Sequence, residues 1–147
     1  MKIGPLCLTL VWLTASLTVQ AALGDTWPRS AKPVREAVKA TVEAQLEAIR
    51  EGDFTRAYGY ASEGIQRQFS PAVFTAMLKR GYPAIVRHTR ADFAGVRDDG
   101  EGSARVEVTV TDRLNRSTDY RYFLTKEAAG WRIEGVVPEE LPAKGDT

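Results

Sequence analysis

The chain contains a single histidine, His88, and histidine is the side chain best suited to acid–base catalysis near neutral pH. A catalytic role requires that the ring face a cavity. If Phe93 points into the core, strand alternation places His88 on the opposite face, among charged residues. The spacing therefore predicts a surface histidine, although a bulge at residues 94–95, an Ala-Gly pair, would reverse its direction.

Paired carboxylates would be the other sign of acid–base chemistry. Asp98 and Asp99 lie in a glycine-rich turn, where aspartate is expected to accept local backbone hydrogen bonds. No acid stands isolated among apolar strand residues, where burial would raise its pKa. The strand acids alternate with arginines, and cross-strand ion pairs on a solvated face explain them without a site. These residues are Glu107, Asp119 and Glu134, with Arg105, Arg121 and Arg132.

Aromatic residues, including Tyr60, are prominent in the predicted interior. A tyrosine supplies apolar area and a hydroxyl that needs a partner, which suits a ligand pocket, although core packing explains the same residues. Gln45 lies near the apolar stripe of the first predicted helix, where its amide must find hydrogen bonds. The candidate ligand-binding residues are Gln45, Tyr58, Tyr120, Tyr122 and Trp131.

The sequence lacks the residues that several classes of protein function require. One histidine, and no cysteine beyond Cys7, exclude the usual zinc clusters. A glycine-rich phosphate loop and a Gly-x-Ser-x-Gly motif are absent, so that we predict no metal and no cofactor. The net charge is +1, without the basic surplus that a general nucleic-acid binder needs.

Residues 1–22 have the pattern of a secretory signal peptide. Lys2 is followed by an apolar stretch over residues 3–19 and then by a small-residue exit. We predict cleavage after Ala21 or Ala22, an exported product, and no membrane association after cleavage. The alternative is an uncleaved membrane anchor, but polar residues interrupt the run before the roughly 20 apolar residues of a bilayer span.

Helical spacing of the apolar residues predicts a first helix over residues 33–51. Asp53 is a suitable N-cap for a second helix. Ser70 and Pro71 form another cap and first-turn pair, which opens a third helix that Gly81 ends.

The hydrophobic period changes after Pro83. Apolar and polar residues then alternate in three segments, marked by Val106, Val108 and Val110, by Tyr120, Tyr122 and Leu124, and by Trp131 and Ile133. Residues 85–96 are predicted to form a further strand. Helices followed by about four antiparallel strands indicate an α+β fold. We place this domain at residues 33–138, between a linker over residues 23–32 and a flexible tail over residues 139–147.

Landmarks in a distinctive order extend over nearly all of this domain: Gln45-Leu46-Glu47-Ala48-Ile49, Asp53, Ala57-Tyr58, Phe69, Phe74, Gly81-Tyr82-Pro83 and Gly130-Trp131-Arg132-Ile133. This order resembles the nuclear transport factor 2-like, or cystatin-like, superfamily, and more narrowly a bacterial family, domain of unknown function 4864. The resemblance implies helices wrapped against a curved antiparallel sheet around a cone-shaped cavity. It also implies a periplasmic location and a homodimer formed through the sheet face.

The same superfamily includes isomerases, dehydratases, cyclases and non-catalytic binding domains, so that the fold does not choose among functions. Because the sequence has no catalytic constellation, we predict a non-catalytic exported domain that binds a small apolar ligand or a protein partner. The alternative is a small cofactor-free isomerase or hydrolyase, with Tyr58 or His88 as the proton-handling group.

Overall fold

The computed structural model describes residues 26–139, so that the predicted signal over residues 1–22 and most of the predicted tail lie outside the described residues. Within that range, five helices precede four strands. The helices are α1 (Lys32–Arg50), α2 (Phe54–Gly59), α3 (Glu63–Gln68), α4 (Pro71–Gly81) and α5 (Pro83–Val86). The strands are β1 (His88–Asp98), β2 (Ser103–Asp112), β3 (Ser117–Glu127) and β4 (Gly130–Pro138). None of the helices between residues 26 and 139 has the length and apolar character needed to span a membrane.

Helix α1 lies across the sheet and contacts β1, β2 and β4. Pro33 is in its first turn, and Gly52 follows its end with a left-handed φ of 76°. The residues of its inner face are buried at helical spacing: Val38, Val42, Gln45, Leu46, Ala48 and Ile49. The structure therefore confirms the first predicted helix.

Side-chain caps start the shorter helices. Asp53 Oδ1 accepts a hydrogen bond from the backbone nitrogen of Arg56 at 3.0 Å, and Ser70 Oγ accepts one from Val73 at 3.3 Å. Both caps confirm the predicted helix starts. Ser62 caps α3 in the same way. The sequence patterns predict no helix at α3, because its six residues bury no side chain and show no apolar periodicity.

The four strands form one antiparallel sheet in the order β1-β2-β3-β4. Val106 lies opposite Tyr122 and Val108 opposite Tyr120, on the face that the helices cover. The register of β1 shifts twice and the β3–β4 register shifts once, and such bulges bend a sheet. This architecture confirms the predicted α+β fold, with helices packed on a curved antiparallel sheet.

The other sheet face is polar. Glu107 lies opposite Arg121, with 3.5 Å between Oε1 and Nη2, which confirms a predicted cross-strand ion pair. Glu107 also contacts Arg105 at 3.4 Å. Just past β4, the carboxylate of Glu139 lies 2.7 Å from Arg121. The chain therefore stays attached to the sheet at the first residue of the predicted tail.

The segment before α1 lies along the edge of β1. The backbone nitrogen of Ser30 donates to the carbonyl oxygen of Val96 at 3.0 Å. The Arg97 guanidinium donates to the carbonyl oxygen of Trp27 at 2.8 Å. Part of the predicted linker therefore covers an edge strand, which is the part of a sheet most prone to unwanted pairing.

His88 is buried, with 3% of its surface exposed, so that the predicted surface position is wrong. The register of β1 shifts between His88 and Arg90, and again between Phe93 and Val96. Because of the first shift, the alternation of side chains between the two sheet faces, counted back from Phe93, gives the wrong face for His88. The His88 ring turns inward, where its Nδ1 lies 2.5 Å from the carbonyl oxygen of Ile85 in α5.

Candidate ligand cavity

A cavity of about 210 Å³ lies between α4 and the last two strands. Helix α4 contributes Phe74, Met77 and Leu78, which share one helical face because they are spaced by three and four residues. Strand β3 contributes Tyr122, and β4 contributes residues 133–137. The lining is mainly apolar, so that the cavity suits a hydrophobic molecule better than a charged one.

Tyr122 is the β3 residue behind this apolar lining. Its side chain is fully buried, and its Oη has no hydrogen-bond partner among residues 26–139. Burial raises the pKa of Tyr122 far above its ordinary value, and the neighbouring phenols of Tyr120 and Tyr82 raise it further. The hydroxyl therefore remains protonated at physiological pH.

Gln45 reaches the cavity from α1. It is buried, and its Nε2 donates to the backbone carbonyl oxygen of Ala57 at 3.2 Å. This bond fixes the orientation of the amide, because only the nitrogen can donate to a carbonyl. The Gln45 side chain makes no second hydrogen bond within the described part of the chain. The amide oxygen is therefore an acceptor beside the cavity.

Tyr82 also lines the cavity, although it lies outside the predicted ligand-binding set. Its Oη donates to the backbone carbonyl oxygen of Val136 at 2.9 Å, and its ring lies 6.1 Å from that of Tyr120. Its only sign in the sequence is an aromatic residue between Gly81 and Pro83, where α4 ends and α5 begins. Its hydroxyl is engaged with the protein, unlike that of Tyr122.

Three of the predicted ligand-binding residues are not among the described residues that line the cavity: Tyr58, Tyr120 and Trp131. The Tyr58 hydroxyl donates to the carbonyl oxygen of Phe69 at 2.6 Å, and its ring packs edge-on against Phe74 at 5.4 Å. Tyr120 is buried in the core, and Trp131 borders a separate surface pocket near the start of β4. The structure therefore brings together only Gln45 and Tyr122 of the five.

Glu134 and Val137 form the exposed rim of the cavity. The register between β3 and β4 shifts so that Phe123 pairs with Gly135 and Leu124 with Ile133, which leaves Glu134 as the bulged residue. No described residue that lines the cavity is basic. Glu134, the one carboxylate among the lining residues, therefore lies at the rim with no basic side chain in the lining beside it.

Neither proton-handling candidate lines the cavity, since His88 lies against α5 and Tyr58 is bonded to Phe69. Burial lowers the pKa of His88, and the positive charge of Arg50 lowers it further, while the hydrogen bond to Ile85 opposes both. Among residues 26–139, no three His, Cys, Asp or Glu side chains are grouped so as to hold a metal ion. The described residues thus place no recognisable acid–base pair in the cavity.

A family model described as "Domain of unknown function (DUF4864)" matches residues 31–145. Among solved structures, Aln2 from a Streptomyces species matches 76% of this chain and 94% of its own, with a TM-score of 0.55 and 15% identity. A proposed dehydratase of the nuclear transport factor 2-like family from Streptomyces avermitilis matches 73% and 95%, with a TM-score of 0.50 and 14% identity. These likenesses confirm the nuclear transport factor 2-like fold and nothing beyond it. No curated protein sequence matches the chain.

Proposed function

We propose that this chain, which belongs to the domain of unknown function 4864 family, is an exported protein that binds a small, mainly apolar molecule without catalysing a reaction. The supporting observation is the cavity of about 210 Å³ between α4 and β4. Buried core residues, such as Phe74 and Leu78, line this cavity and do not fill it.

The cavity volume sets the size of the ligand. An engineered apolar cavity of about 150 Å³ is large enough to bind benzene. The cavity of this protein is larger, at about 210 Å³, so that a substituted benzene of roughly ten non-hydrogen atoms is the size class we expect. Such a ligand gains affinity by transferring its apolar surface from water to the cavity wall.

Binding fits the geometry better than catalysis does. A general base must come within hydrogen-bond reach of the proton that it removes. Tyr58 and His88 do not line the cavity, which argues against the isomerase or hydrolyase alternative that depends on them. Tyr122 does line it, but its raised pKa keeps the phenol protonated near neutral pH, so that it cannot take up a proton there.

The binding proposal is tested by blocking the cavity from α4. In Met77→Trp the larger side chain should occupy part of the cavity, because Met77 is half-buried in its wall. The matched control is Val73→Trp, because Val73 lies on the same helix, outside the lining, and is 51% exposed. Isothermal titration calorimetry with isopropylbenzene should show equal affinity for the wild type and the control, and at least tenfold weaker binding to Met77→Trp.

Two results would contradict this proposal. One is the absence of any isopropylbenzene binding to the folded wild type. The other is full affinity in a Met77→Trp variant whose thermal unfolding shows that it is folded.

Export is tested separately, on protein recovered from cells that express the full chain. N-terminal sequencing should find a mature chain that begins after Ala21 or Ala22. An intact Met1 on membrane-bound protein would instead support the anchored alternative.

A further inference from the structure

We propose that the molecule bound in the cavity is an amine. Its apolar body lies inside the cavity, and its protonated amino group lies at the mouth, where it forms an ion pair with Glu134. This inference rests on the proposed binding function and specifies the chemical class of the ligand.

The first argument is the charge of the cavity lining. Among the described residues that line the cavity, Glu134 is the only charged one. It is exposed, and it forms the rim together with Val137. The mouth of the cavity therefore carries one negative charge and, within the described lining, no positive charge.

The second argument is that the Glu134 carboxylate is free. It forms no hydrogen bond and no ion pair within residues 26–139. The nearest arginine in sequence, Arg132, donates instead through Nη1 to the carbonyl oxygen of Trp131 at 3.0 Å. Every other carboxylate of the four strands has a partner: Asp92, Asp98, Glu107, Asp112, Asp119 and Glu127. Glu134 is also the bulged residue of β4, and bulges commonly redirect a side chain next to a functional site.

The third argument gives the orientation of the ligand. Moving an ammonium group into an apolar interior is strongly unfavourable unless an anion pairs with it there. The described lining residues other than Glu134 are uncharged, so that the positive charge must stay at the rim. At the rim, the amino group keeps much of its water and is attracted by Glu134. The apolar body meanwhile gains affinity by leaving water for the space between α4 and β4.

The same arrangement disfavours acids. A carboxylate at the mouth would meet the like charge of Glu134, and no basic side chain of the described lining would compensate for it. Because an exposed ion pair is weak, the attraction of Glu134 should change affinity only by about two- to fivefold. The apolar body therefore supplies most of the affinity, and Glu134 selects the charge of the ligand.

The test compares three ligands that share a phenyl body. At neutral pH, 2-phenylethylamine is a cation, 2-phenylethanol is neutral and phenylacetate is an anion. Calorimetry at low ionic strength measures their affinities for the wild type and for Glu134→Gln. The matched control is Glu43→Gln, because Glu43 is an exposed residue of α1 that lies outside the described lining and forms no ion pair within residues 26–139. Both variants lose one negative charge, so that a difference between them reflects its position.

In Glu134→Gln, the affinity for 2-phenylethylamine relative to 2-phenylethanol should fall about two- to fivefold. Relative to phenylacetate it should fall further, on the order of tenfold, because the variant also loses the repulsion of the anion. Salt at about 0.5 M should lower both ratios in the wild type, because it screens exposed charges. Glu43→Gln should leave both ratios unchanged.

The outcomes separate the two proposals. If 2-phenylethanol binds but Glu134→Gln alters the two ratios no more than Glu43→Gln does, this inference is wrong while the binding function stands. Phenylacetate binding to the wild type as tightly as 2-phenylethylamine would also overturn it. If none of the three ligands binds the folded wild type, the proposed function fails, and this inference fails with it.

Discussion

Two tyrosine-to-phenylalanine substitutions among the residues that line the cavity should change stability in opposite directions. In the ligand-free protein, Tyr122 holds a fully buried hydroxyl that has lost its hydration without gaining a partner among the described residues. An unsatisfied buried group of this kind costs about 1–3 kcal/mol. Tyr122→Phe removes that group and keeps the ring, so that the free energy of unfolding should rise by about 1–2 kcal/mol. Tyr82→Phe removes a hydrogen bond of 2.9 Å to Val136 and should lower it by about 1 kcal/mol.

The assay is equilibrium unfolding in urea at 25 °C, with the denaturant slope compared among the three proteins. An unchanged slope shows that the substitutions alter stability and leave the surface exposed on unfolding the same. The predicted gap between the two variants is about 2–3 kcal/mol, well above the error of such measurements. A Tyr122→Phe variant that loses 1 kcal/mol or more would show that the hydroxyl is hydrogen-bonded in the ligand-free protein, and would refute the argument.

Three further predictions concern stability. Because folding lowers the pKa of His88, protonation favours the unfolded chain, and the free energy of unfolding should fall as the pH drops below 6.5. Urea unfolding over a pH series measures this dependence, which should be weaker in His88→Gln. Asp53→Ala removes the N-cap of α2 and should cost about 1 kcal/mol in the same assay. Gly130→Ala places a side chain at a φ of 122° and should lower the free energy of unfolding by more than about 1 kcal/mol, which a lower thermal midpoint would show.

Local sequence patterns predicted most of the elements. The apolar stripe of α1 and the alternation in β2 and β3 are signals that repeat over many residues, and the structure confirms them. Short or irregular elements gave no such signal. Helix α3 has six residues and no buried side chain, so that only its Ser62 cap marks it. His88 was misplaced because a bulge changes which face a strand residue occupies without changing the sequence pattern nearby.

The cavity was harder to predict than the fold. Gln45 and Tyr122 could be identified because a helix stripe or strand alternation already directs them inward. Their neighbours in the wall, such as Met77 and Tyr82, depend on how α4 packs against β4, and that packing is a long-range property. Burial alone also did not separate cavity residues from core residues. Tyr120 is as deeply buried as Gln45, yet it is not among the lining residues.

The origin of the cavity lies in the backbone of β4 as much as in the side chains around it. The bulge at Glu134 interrupts the regular pairing with β3, and the next residue, Gly135, lines the cavity without a side chain. A Cβ atom added to Gly135 would meet no described atom within 4 Å beyond its chain neighbours. Meanwhile α1 packs on the sheet through Val38 and Val42, which do not line the cavity. The cavity wall, in contrast, includes core residues such as Phe74, Leu78 and Ile133, so that a substitution in this wall would change the packing of the domain as well as the cavity.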